Sequence, residues 1–276
     1  MALEFHKMHG AGNDFVVLDL RRQNYSLNPR QAAQIADRRR GIGCDQILVI
    51  REPSDPAHAA RYEIWNSDGS PAGQCGNGAR CIGLFLSRED GVGNEPFSLE
   101  SPAGVITLDR CADGEFEIEM GVPEFAPARV PLTLAANNGM YRIDSPWGEL
   151  KLGAVSMGNP HALSLTESIE DENIPAIGAF ISTHDAFPEG CNAGFAELIN
   201  RHEIRLRVVE RGAGETLACG SGACAAVAIL RQRGLVDEVV DVFLPGGHLV
   251  IKWPGTGLSL RMKGPAEHVF KGNLNG

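Results

Sequence analysis

The sequence predicts a mixed α/β (α+β) fold made of two pseudo-symmetric domains. Three observations predict it. Short strand-like runs outnumber helical ones and come in groups, which disfavours a Rossmann-type parallel sheet. Two segments recur in the same order at nearly the same offset, about half the chain apart. Each half also carries a Cys-Gly-x-Gly turn that leads into an apolar helical run.

The strand-like runs are Leu3 to His9, Asp14 to Leu20, Gln46 to Ile50, Arg61 to Asn66, Glu115 to Met120, Glu203 to Glu210 and Val239 to Leu244. Most are short, rich in Val, Ile, Leu and Phe, and bounded by Gly, Pro, Asn or Asp. Asn28-Pro29 opens a predicted helix running to Arg39, with a cap residue followed by proline at the first helical position. Two more helices follow Cys75-Gly-Asn-Gly and Cys219-Gly-Ser-Gly, where Asn77 or Ser221 could serve as cap. The repeat aligns RYEIWNSDGSPAGQCGNGA, starting at Arg61, with RLRVVERGAGETLACGSGA, starting at Arg205, and GAGNDF with SMGNPHA. Two echoes in one order favour homologous halves. The Gly121-Val122-Pro123 break divides them, giving domains 1–121 with Cys75 and 122–262 with Cys219.

Composition narrows the function. The 276 residues carry a formal net charge of −10, and 22% of them are charged. That acidic balance argues against a general nucleic-acid or anionic-membrane binder, because both need a basic field. No apolar run approaches the roughly 20 residues of a membrane helix, and the first residues do not resemble a signal peptide, so a cytoplasmic protein is expected. The 33 glycines, dispersed rather than periodic, imply many tight turns. Seven cysteines without any CxxC pair give little support to a disulfide scaffold or a zinc ribbon. Neither a cofactor nor a metal is expected.

A cysteine at a helix start faces free N–H groups and the positive end of the helix dipole. That position is expected to lower the thiol pKa and supply thiolate, the form that acts as base. The same N–H groups can hold a carboxylate. Two such turns on opposite sides of one α-carbon form a two-base device, in which one sulfur removes the proton and the other delivers one to the opposite face. A lone cysteine near a helix start is more often a packed small hydrophobe, and the duplication is what argues otherwise here. Cys44, Cys81, Cys111, Cys191 and Cys224 are read as structural.

The stretches GAGNDF, GCDQ, WNSDGS, QCGNGARC, GNPH and ERGAGETLACGSGAC together resemble the diaminopimelate epimerase family and span Gly10 to Cys224. The resemblance implies an epimerase independent of pyridoxal phosphate that interconverts LL- and meso-2,6-diaminopimelate for lysine and peptidoglycan precursors. It implies two domains, each a curved mixed sheet around a central helix, with a segment near 263–276 returning to the first. Cys75 and Cys219 match the acid/base pair, with Glu210 and His161 in support. Gly76, Asn77, Gly220 and Ser221 match the positions that hold the reacting carboxylate. Asn13, Gln46 and Glu210 match groups at the reacting amino end, and Asn66, Asn159, Asn192 and Arg211 match those at the distal end. A homodimer is implied, with Phe270 standing where many members carry a tyrosine.

The bottom-up reading is compatible with this, since a substrate with two ammonium and two carboxylate groups needs amides, a fixed cation and an anion. Asparagines are also common turn residues, and Glu210 and Arg211 could be surface charges. The alternatives are a proline or hydroxyproline racemase-like enzyme of the same superfamily and a non-enzymatic thiol redox or metal-binding protein.

Overall fold

The computed structural model describes residues 3–73, 75–135 and 139–274; Gln74 of the QCGNGARC motif lies outside them. The chain divides into two compact units, Met1–Glu119 with Lys263–Gly276, and Met120–Met262.

The first unit opens with β1 (Leu3–Gly10) and β2 (Asn13–Asp19), joined by a tight turn in which Ala11 and Gly12 both have positive φ. Helix α1 (Pro29–Ala36) follows, and Asn28 and Gln31 form a reciprocal capping box at its start. The helix stops short of the expected Arg39. Asp37 is its C-cap residue, and its carboxylate instead accepts the N–H groups of Arg39 and Arg40, turning the chain into a loop. β3 (Gln46–Arg51), β4 (Ala60–Asn66), α2 (Gly76–Glu89), β5 (Phe97–Ser101), β6 (Gly104–Arg110) and β7 (Phe116–Gly121) complete the run.

The second unit repeats this order after β8 (Tyr141–Ser145). It contains β9 (Gly148–Ser156), β10 (Pro160–Leu165), α3 (Ile174–Ser182), β11 (Asn192–Asn200), β12 (Glu203–Glu210), the short β13 (Gly214–Thr216), α4 (Gly220–Gln232), β14 (Val239–Leu244), β15 (Gly247–Lys252) and β16 (Leu260–Gly264). The last strand, β17 (Glu267–Leu274), returns to pair antiparallel with β1.

The two pairing schemes correspond. β1 and β2 are antiparallel, β2 and β3 parallel, β3 and β4 antiparallel, and β4 and β5 parallel. β9 to β12 repeat the first three relations, and β12 runs parallel to β14. The register is shared as well. Gln46 lies opposite Phe15 in the first unit, and Asn192 lies opposite His161 in the second. Each member of the second pair stands 146 residues after its counterpart.

Each sheet curls around one helix. α2 packs on β1, β2, β3, β6 and β17, and α4 on β9, β10, β11, β12 and β15. Both helices are buried over most of their length and pack their apolar side chains against strands such as β3, whose residues Ile47 to Ile50 are buried on both faces because α1 covers the other side. The fit is close. A Cβ at Gly83 of α2 would lie 2.6 Å from Leu108 Cδ2, and one at Gly153 of β9 would lie 2.3 Å from Ile229 Cγ2 on α4. Among the described residues no helix is long and apolar enough to cross a membrane.

Gly153→Ala is therefore expected to destabilise the protein by about 1–3 kcal/mol through overpacking. Ile229→Ala opens room for the added methyl, so the double variant should be more stable than the sum of the single effects. Urea unfolding of all three checks this, and additivity within about 0.5 kcal/mol would reject the packing account.

Candidate active site

In each unit the strand before the helix ends in a loop whose last residue is a cysteine, and that cysteine is the helix N-cap. Cys75 and Cys219 are both extended, with φ −151° and −120°. Asn77 and Ser221, the expected caps, lie within the first turn instead. Gly76 and Gly220 are the first helical residues, so their N–H groups belong to the set without intrahelical partners.

Around Cys75 the polar groups form a directed chain. Arg80 Nη2 donates to Asn77 Oδ1 at 2.8 Å, Asn77 Nδ2 donates to Asn13 Oδ1 at 3.3 Å, and Asn13 Nδ2 donates to Asp45 Oδ2 at 3.0 Å. Arginine only donates and an ionised carboxylate only accepts, so the two ends fix the orientation of both amides between them. The Cys75 thiol donates to the same Asn13 oxygen at 3.8 Å, while its sulfur accepts the Gly78 N–H at 3.3 Å.

Behind this chain stands an ion cluster. Arg38 binds Asp14 through two bonds, at 2.9 and 2.7 Å, and reaches Asp45 at 2.7 Å. Lys7 approaches Asp14 at 2.5 Å. Burial opposes ionisation of Asp14, but hydrogen bonds from Arg38 and Lys7 outweigh it and hold the carboxyl well below the usual range. Gln46 and Asn66, opposite each other on β3 and β4, are bonded to each other, Gln46 Nε2 donating to Asn66 Oδ1 at 2.9 Å.

The second unit joins its expected residues other than Gly220 in one network. The Cys219 thiol donates to Glu210 Oε2 at 3.1 Å, and its sulfur lies 3.6 Å from the Ser221 hydroxyl. Ser221 Oγ is 3.1 Å from His161 Nε2, which is 3.0 Å from Asn159 Oδ1. Asn192 Nδ2 lies 3.5 Å from the same His161 nitrogen, which ties Asn192 to this network. Asn192 accepts the Arg211 N–H at 3.0 Å. Arg211 is exposed, and its Nη1 donates to the Glu189 carbonyl at 2.5 Å.

The expectation of a lowered thiol pKa is overturned at Cys219. Burial, followed by the Glu210 charge and its hydrogen bond, pushes this thiol well above its ordinary value. The Ser221 hydroxyl and the Gly222 amide act in the opposite direction and do not win. The helix start is present, but the desolvated pocket with an anion beside it counts for more. Cys219 is 4% exposed and is held as a thiol.

The sequence reading missed Asp45, Arg80, Asp14, Arg38 and Thr216. Asp45 and Asp14 adjoin Gln46 and Asn13 inside motifs already singled out. Arg80 sits between Ala79 and Cys81 on a buried helix, and an arginine in that setting was the available signal. Arg38 lies in a run of three arginines, a pattern that ordinarily marks a solvated face.

Burial, with a smaller contribution from the Arg211 charge, lowers the His161 pKa from 6.5 to about 3. Below pH 6.5 the unfolded chain then binds a proton that the folded chain refuses. Stability is expected to fall as pH drops from 6.5 toward 3, by about 1.4 kcal/mol per pH unit for this one group. His161→Gln should flatten the decline in a urea-midpoint series, and parallel curves for variant and parent would rule out a neutral buried imidazole.

The diaminopimelate epimerase family profile matches residues 5–126 and 153–269. A diaminopimelate epimerase of Xanthomonas axonopodis pv. citri is 49% identical over 274 residues, covering 99% of this chain and 96% of that protein. One of Teredinibacter turnerae is 45% identical, covering 99% of each. Among solved structures, a hydroxyproline epimerase from Agrobacterium vitis superposes with a TM-score of 0.73 at 16% identity, covering 99% of this chain and 92% of that one. A phenazine biosynthesis protein of the PhzF family from Enterococcus faecalis superposes at 0.68 with 13% identity, covering 100% of each. These two distant likenesses bear on the fold, while the profile match and the close relatives decide the lineage: the chain belongs to the diaminopimelate epimerase family.

Proposed function

We propose that the protein interconverts LL- and meso-2,6-diaminopimelate by proton transfer at one α-carbon, within lysine and peptidoglycan precursor synthesis. The observation that carries the reading is the pair of cysteine N-caps at equivalent places in two repeats, each lying among polar groups suited to an amino acid. The close relatives' names support the substrate.

Each thiol is assigned one face of the α-carbon. In one direction Glu210 takes the Cys219 proton, the resulting thiolate takes the α-hydrogen, and the Cys75 thiol gives its proton to the opposite face. The C–H bond broken and the C–H bond formed involve the same carbon, so its configuration inverts. In the reverse direction the roles exchange. The carbanion formed in between needs its charge spread onto the carboxylate, and the N–H groups of Gly76, Asn77, Gly220 and Ser221 are the donors assigned there. Asn13, Gln46 and Glu210 are assigned to the reacting ammonium. Asn66, Asn159, Asn192 and the exposed Arg211 guanidinium are assigned to the distal amino-acid group. A site that bonds this far end rejects substrates lacking it, because its buried polar groups would otherwise stay unpaired.

The assembly belongs to the proposal as well. Phe270 on β17 is 47% exposed and packs edge-on to Phe5 at 6.0 Å. A homodimer is expected, and sedimentation velocity measures it.

Incubating the protein with LL-diaminopimelate in deuterated water should give the meso isomer carrying deuterium at the inverted carbon. Cys75→Ala and Cys219→Ala should each lose net epimerisation by at least about a thousandfold, the order expected when a positioned acid or base is removed. Absence of turnover by the parent protein rejects the function, and full activity in either variant rejects the two-base assignment. Hydroxyproline, as a comparison substrate, should not turn over.

A further inference from the structure

Glu210 is a flexible carboxylate at the end of β12, only partly buried, next to a thiol that is buried. Water competes for such a group, so something must keep it on the sulfur. The β12–β13 hairpin supplies a partner. Its register sets Val208 opposite Thr216 and Glu210 opposite Gly214. With the two-residue period of a strand, Thr216 and Glu210 therefore share one face as diagonal neighbours. The Thr216 hydroxyl donates to Glu210 Oε1 at 2.6 Å, and the Cys219 thiol donates to Oε2 at 3.1 Å. The first distance is that of a strong hydroxyl–carboxylate bond. Each oxygen thus receives one donor, and the plane of the carboxylate is fixed by two points.

We propose that Thr216 is a positioning residue for the epimerase reaction, pinning one oxygen of Glu210 so that the other stays on the Cys219 thiol. The residue touches neither sulfur nor substrate and acts only through Glu210. Its hydroxyl, rather than its shape, is what the arrangement uses. The claim rests on the function proposed above for its kinetic consequences but not for its chemical one.

The groups that bear on the Cys219 sulfur are Glu210 on β12, Ser221 and the Gly222 amide on α4, and His161 on β10 through Ser221. Of these, Glu210 is the one that disfavours thiolate. Releasing its carboxylate should therefore make the thiol easier to ionise while removing the base that the reaction needs.

The test compares Thr216→Val, which keeps the branched shape, with Thr216→Ser, which keeps the hydroxyl. In Thr216→Val, kcat for diaminopimelate should fall about tenfold with KM within twofold, since misplacing a reacting group by about 1 Å costs up to a hundredfold. Thr216→Ser should retain at least half the parent kcat. Without substrate, alkylation of Cys219 by iodoacetamide at pH 8, followed by peptide mass mapping, should run about threefold faster in Thr216→Val than in the parent. The unfolding midpoint should match the parent in both variants. A parent-like kcat in Thr216→Val, an equal loss in Thr216→Ser, or an unchanged alkylation rate would each overturn the proposal. A parent protein inactive on diaminopimelate, together with the expected alkylation difference, would overturn the proposed substrate and uphold the role of Thr216.

Discussion

The constraint on which the rest depends is the start of a buried helix. α2 and α4 each pack on one face of the strands of their unit, and α1 and α3 each form a further buried cluster on the other. A helix so placed cannot satisfy its first N–H groups with its own carbonyls, and little water reaches it. The chain meets this by ending the preceding loop on a cysteine and following it with glycine. At Cys75 the sulfur accepts one of these amides, that of Gly78. The packing of the helix and a thiol-bearing corner thus come from one structural necessity.

The two copies of that corner have diverged in charge. Cys75 stands beside the neutral Asn13 amide, which is held on one side by Asn77, itself bonded to Arg80, and on the other by Asp45. Cys219 stands beside a carboxylate in a desolvated place. The position that aligns with Glu210 in the first repeat is Asn66, a neutral residue bonded to Gln46. In the proposed two-base reaction one sulfur gives a proton while the other receives one, and it is the unlike neighbours, on a duplicated backbone, that distinguish the two corners.

Much of this was legible from residue order. The seven strand runs and all three expected helices exist, because strands of β-branched residues between turn residues and an N-cap followed by proline are local signals. Helix α3 was not seen: Pro175 stands near its start, and Gly178, a poor helix former, is required where Val209 crowds the backbone. The helix expected to reach Arg39 ends at Ala36 because the Asp37 side chain captures the following amides. The motif residues of the second repeat fall into one hydrogen-bonded network, whereas the groups that orient them were missed. Arg38 and Thr216 have nothing unusual in their immediate sequence, and their importance comes from what lies across a strand or a turn.

The sequence by itself determined the mixed fold, the duplication, the two cysteine turns and the family, because these rest on local spacing and on motifs read along the chain. Tertiary structure decided the protonation of Cys219, the directions of the Asn13 and Asn77 amides and the grip on Glu210. Those properties depend on desolvation and on donor–acceptor partners brought together from distant parts of the chain. A thiol at a helix start is pulled one way by the local amides and the other way by burial beside a carboxylate, and only the packed structure sets the balance.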